Sequence, residues 1–156
     1  MNGDAYAAAV GAMHVYYGGL LQDVVKEYGW DTALALHAKR GWSIGASTVQ
    51  GIKRAAGGKA PDVAAVDACV VKGNAAFGVT FTTEKTENSV VLVISRCPIY
   101  DGLQASGFSH DQIGLLCQAV GAKHRDAVAS LLPQATWRAD FRTSPDACCR
   151  ERWDIR

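Results

Sequence analysis

The chemistry open to this chain lies in its thiols and imidazoles: five cysteines (Cys69, Cys97, Cys117, Cys148 and Cys149) and four histidines. Cys97 follows the β-branched run Val90–Ser95 and precedes Pro98. A strand end beside a loop is a position from which a side chain faces a pocket. As a nucleophile, Cys97 needs a base, because a free thiol of pKa ~8.5 is only a few per cent ionised at neutral pH. Cys117 and His124 stand seven residues apart and share one face of an expected helix, with Gly121 leaving room between them. A thiol and an imidazole lining one cleft can serve as nucleophile and base, or as two metal ligands. Arg96 can receive a substrate carboxylate. The plainer readings stand beside these: Cys97 and Cys117 as small core hydrophobes, and His124 as a solvated residue among Lys123, Arg125 and Asp126. Cys148 and Cys149 are adjacent on an expected strand, so only one of them faces inward. Cys69 fits the apolar face of its helix, His14 and His37 read as structural, and His110 as exposed.

These residues are positioned by a chain whose pattern changes period midway. Residues 4–28 show apolar positions at helical spacing and stop at Gly29. Asp31 is placed to cap a second helix over 32–56, which Gly41, Gly45 and Gly51 weaken, and Pro61 opens a third. Alternation over 77–81 and the run 90–94 then predict a hairpin. Ser109-His110-Asp111-Gln112 is a capping box for a helix that stops before Pro133. Residues 136–142 and 148–155 read as a second hairpin across Thr143–Asp146. The expectation is a single α+β domain over 1–156, with a helical N-terminal half packed on one face of a small antiparallel sheet formed by the two hairpins.

Composition narrows the function classes. Sixteen basic and fifteen acidic residues among 156 give a net charge near +1, which offers nucleic acid or an anionic membrane no attraction. No stretch reaches transmembrane length, and the N-terminus lacks a basic leader, so the expected location is the cytoplasm. An odd cysteine count with one adjacent pair fits no simple disulfide framework, and CxxC spacing is missing. The Gly- and Ala-rich helices permit a homo-oligomer.

The second half resembles the L-2-amino-thiazoline-4-carboxylic acid hydrolase family. The matching positions are Arg96-Cys97 with Tyr100, Leu116-Cys117, Pro133, and Cys149 followed by Arg152-Trp153; the Tyr28-Gly29 break also fits. The chain departs from the family where an acidic group is expected: that position falls on Val120 or Gly121 counted from Cys117, and on Lys123 or His124 counted from Pro133. Cys148 stands where the family often has histidine, and Glu151 where it has an aromatic. The layout is also similar to small-molecule-binding domains of the four-vinyl-reductase type.

The resemblance implies a cysteine-dependent, ring-opening hydrolase acting on a C–N or C–S bond of a small thiazoline-like heterocycle, with no cofactor. Cys97 is then the nucleophile, His124 the base, and Cys117 completes the catalytic set. Arg96, Tyr100 and Cys149 contact the substrate. Two alternatives use the same residues: a zinc site of Cys97, Cys117, His124 and Cys149, or a non-enzymatic binding module whose cysteines line an apolar pocket.

Overall fold

Two long helices open the fold. The computed structural model describes residues 3–156, and in it α1 spans Gly3–Tyr28 and α2 spans Trp30–Ala55. They meet at Gly29, whose φ of 82° lies in the left-handed region that glycine enters without strain. Asp31 does not cap α2: Gly29 occupies the N-cap position and no side chain caps it. Asp31 lies in the first turn, where its charge suits the positive end of the helix dipole.

The glycines expected to weaken α2 leave it continuous, and two of them bring a neighbouring helix close. That neighbour is α5, His110–Leu131. A Cβ on Gly41 would collide with the Val120 carbonyl oxygen and stand 2.9 Å from Lys123 Cβ. One on Gly45 would lie 2.8 Å from both Ala127 Cβ and the His124 carbonyl oxygen. The capping box of α5 forms as its sequence predicts, with Ser109 Oγ accepting from Gln112 N–H and the Gln112 side chain accepting from Ser109 N–H. Between them in sequence, α3 runs Val63–Ala76. Its cap is Asp62, which accepts from Ala65 N–H at 2.8 Å, so Pro61 stands just ahead of the cap.

The sheet has four antiparallel strands: β1 Thr80–Lys85, β2 Ser89–Arg96, β3 Ala135–Asp140 and β4 Cys149–Ile155. Their order is β1-β2-β4-β3, so the two hairpins join through β2 and β4. The first strand begins at Thr80 rather than Phe77, because Gly78 turns the chain with φ 73°. A short helix α4, Pro98–Ala105, follows β2 with Pro98 in its first turn, where a missing N–H costs nothing.

The register sorts the side chains into two faces. Val90, Leu92 and Ile94 stand opposite Trp153, Glu151 and Cys149, and Trp137 and Ala139 continue these rows on β3. This is the helix-covered face. Its apolar members form the larger core cluster with Val49, Ile52, Val66, Val128 and Leu132. Arg138, Arg150 and Arg152 point from the opposite, exposed face. A second cluster, Leu21, Ala33, Leu103, Phe108, Ile113 and Leu116, ties α1 and α4 to α5. Cys97 touches both clusters and Cys117 the second.

Candidate functional site

The helix-covered face of the sheet carries one residue that does not belong in a core. Strand alternation puts Glu151 between Cys149 and Trp153, and cross-strand pairing puts it between Leu92 and Ala139. Burial pushes its carboxyl up from the usual range, and the nearby Trp137 indole N–H pulls it partly back. That N–H does not complete a well-formed hydrogen bond.

Three thiols gather beside it. Cys149 is its neighbour on β4. Cys97 comes from the end of β2, at the N-cap position of α4, and Cys117 from the second turn of α5. All three are half-buried, whereas Cys148 is exposed. Burial pushes the Cys97 thiol up; the backbone N–H groups of Tyr100 and Ile99 resist, and Cys149 and Glu151 add to the rise. Cys117 is driven to about 12, by burial first and then by Cys97 and Cys149, with Arg142 opposing. At neutral pH both are thiols, not thiolates.

Arg142, just past β3, closes the group. Its backbone N–H points to Cys149 Sγ at 3.4 Å. Its guanidinium lies over the Tyr100 ring, 4.4 Å from the centroid, and Nη1 donates to the Pro145 carbonyl at 3.1 Å. The Tyr100 hydroxyl is 3.0 Å from His110 Nδ1, so the ring that supports Arg142 is itself held. Burial opposes the Arg142 charge, but the neighbouring Cys149, Cys97 and Tyr100 favour it and prevail.

Two of the residues singled out from sequence lie apart from this group. Arg96 projects into solvent, 74% exposed, and pairs with Asp101 at 3.0 Å; the arginine beside the thiols is Arg142. His124 shares a helix face with Cys117, yet the room above Gly121 is filled. A Cβ there would stand 2.7 Å from the Phe141 ring and 3.5 Å from Trp137. His124 instead stacks on Trp137, centroids 4.2 Å apart and planes 14° apart, and meets Trp153 edge-on. Burial lowers its pKa to about 4. Its Nε2 has no partner, and among the described residues no hydrogen bond joins it to a thiol. Among the described residues no three His, Cys, Asp or Glu side chains are grouped to hold a metal ion.

Glu151 and Arg142 are the site residues that sequence reasoning passed over. The signal for Glu151 was present, since an acid two residues from Cys149 must share its face. Nothing local marked Arg142, because its place depends on Tyr100, which is 42 residues away by number.

The remaining histidines are structural. His14 Nδ1 contacts the Val10 carbonyl at 2.8 Å. His37 meets the Tyr17 hydroxyl at 2.8 Å, and burial and then Arg40 lower it to about 4.

Solved structures that share this fold include the following two. One is a trafficking protein particle complex subunit 3 from Naegleria fowleri, covalently bound to palmitic acid; it is 13% identical, with a TM-score of 0.57 over 96% of each chain. The other is the phenol-responsive sensory domain of the transcription activator PoxR with phenol, 16% identical with a TM-score of 0.57, covering 91% of this chain and 74% of that one. At such identities the likeness is one of fold. No family model and no curated protein matches the chain in sequence. Among the described residues no helix is long and apolar enough to cross a membrane.

Proposed function

We propose that this chain is a small-molecule-binding domain whose ligand docks against Cys97, Cys117, Cys149, Glu151 and Arg142. One observation carries the reading: covered polar atoms lie beside the thiols without an oxygen partner. Arg142 Nε and Nη2 have none, with only the Cys149 thiol against the guanidinium, and Trp137 Nε1 makes no well-formed hydrogen bond to the nearby Glu151 carboxyl, which burial holds up. An unpaired buried donor costs roughly 1–3 kcal/mol, and a domain with only a core to build avoids that cost with apolar side chains. A ligand that pairs with these groups turns the cost into affinity.

The ligands named for the two similar structures, phenol and palmitic acid, support a fold suited to small organic molecules. The hydrolytic reading is less well served. It needs a Cys97 thiolate and a base, while burial raises the thiol and lowers His124 to about 4. The hollows on the described surface serve less well as specific sites. A groove of about 290 Å³ between α1 and α2 is lined by Tyr17, Leu20, Leu21, Val24, Leu36 and Arg40, an apolar set with a single charge.

The test is a thermal-shift screen with phenol, saturated fatty acids and small heterocycles, followed by tryptophan fluorescence, because Trp137 and Trp153 adjoin the cluster. Hits should lose their effect in Cys149→Phe, which fills the site, and should not be consumed on incubation. Hits that bind wild type and Cys149→Phe equally would remove this site from consideration, and turnover of a hit would restore the enzymatic reading.

A further inference from the structure

Resting on that reading, we infer that the ligand carries a carboxylate and that Arg142 is its receptor. The two unpaired nitrogens of Arg142 are Nε and Nη2. In a guanidinium, the N–H of Nε and one N–H of Nη2 run parallel along one edge. That edge is the fork which fits the two oxygens of a carboxylate. The third nitrogen, Nη1, is occupied by the Pro145 carbonyl.

The fork makes no hydrogen bond to any oxygen, its one polar neighbour being the weakly accepting Cys149 thiol, and it is held still. Tyr100 supports the face of the guanidinium, Pro145 fixes one end, and the backbone N–H of the same residue is tied to Cys149 Sγ. An arginine left over from packing would find a nearby acid or turn to water. Among the described residues no carboxylate forms an ion pair with Arg142, although seven such pairs form elsewhere. Glu151 does not serve, since burial favours its neutral form and its polar neighbour is Trp137. A single cation beside thiols that burial keeps uncharged matches a monoanion. A phosphate dianion would leave charge uncompensated. The body of the ligand would rest among Cys97, Cys117 and Trp137, surfaces that are apolar or polarisable.

The experiment compares straight-chain carboxylates from acetate to octanoate, and benzoate, each with its own amide, on the wild-type protein. Binding is read by tryptophan fluorescence and by protection of Cys149 from alkylation. At least one acid should bind tenfold or more tightly than its amide, the factor a charge-assisted pair of hydrogen bonds supplies over a neutral one. Arg142→Lys, which keeps the charge and loses the fork, should bring the two within about threefold, with circular dichroism confirming its fold. Should that variant not fold, the acid–amide ratio on wild type still decides. Amides binding as well as acids, or a preference that survives in folded Arg142→Lys, would overturn the carboxylate assignment and leave the binding site standing. If neither series quenches fluorescence or protects Cys149, the assignment fails together with the proposed site.

Discussion

Replacing Gly41 with alanine tests the closest helix–helix contact of the fold, and the outcome can be worked out from two opposing effects. Alanine favours a helix over glycine by about 1 kcal/mol. Against that, the new Cβ meets the Val120 carbonyl oxygen and Lys123 Cβ. Lys123 can swing away, but the carbonyl belongs to the backbone of α5, so the two helices have to separate. Overpacking of this kind costs typically 1–3 kcal/mol, and a rigid backbone obstacle puts this site at the upper end. The net loss is then about 2 kcal/mol, or roughly 4–8 °C in Tm for a domain of this size. Gly19→Ala is the matched control: it is also helical, with nothing within 4 Å of its Cβ, and should gain up to about 1 kcal/mol. Urea unfolding followed by circular dichroism measures both. A Gly41→Ala protein as stable as Gly19→Ala would mean that α2 and α5 do not touch along this line.

Three further outcomes follow from the buried titratable groups. Because burial raises Cys97 and takes Cys117 to about 12, iodoacetamide near pH 7 should modify exposed Cys148 first; peptide mass mapping that finds Cys97 labelled fastest would contradict its burial. His124 is neutral in folded and unfolded chains above about pH 6.5, and below that the unfolded chain gains a proton that the folded one refuses until about pH 4. Stability is thus full above 6.5 and is lost as pH falls toward 4, by roughly 3 kcal/mol at 1.36 kcal/mol per pH unit; His37 adds a similar loss, and a urea midpoint that stays flat from pH 7 to 4 would refute both. Glu151 acts in the opposite direction: its raised pKa disfavours the folded state once pH exceeds the unfolded value, so Glu151→Gln should stabilise the protein at pH 7 and have little effect near pH 4, and an equal shift in Tm at both values would show that the carboxyl is solvated.

Local signals in the sequence were read well where they act over a few residues. The capping box at Ser109 needs only four positions, and alternation along 148–155 separates Cys149 from Cys148 without reference to the rest of the chain. Asp31 misled because glycine at position 29 ends one helix and begins the next within a single residue, leaving no turn for a side-chain cap. Helix α4 went unseen because eight residues carry too short a pattern, and its burial comes from packing against α1. The site was half legible: strand ends and helix faces indicated the three thiols. Arg142 and the rings filling the gap above Gly121 depend on which residues tertiary packing brings across from β3, and that is not written in any one segment.

The order β1-β2-β4-β3 has a consequence for how the protein is made. One of the two inner strands, β4, is made after the other three, so the hairpin β1–β2 leaves the ribosome with one long, apolar edge unsatisfied. Until residues 149–155 arrive, β2 offers Val90–Ile94 to any strand nearby. Helices α1, α2 and α5 precede β4 in sequence, and the pairing of β4 with β2 is what brings Cys149 and Glu151 onto the helix-covered face. Slowing the synthesis of residues 149–155 should lengthen the time during which the nascent chain needs a chaperone, and mispairing at β2 is the expected form of its aggregation.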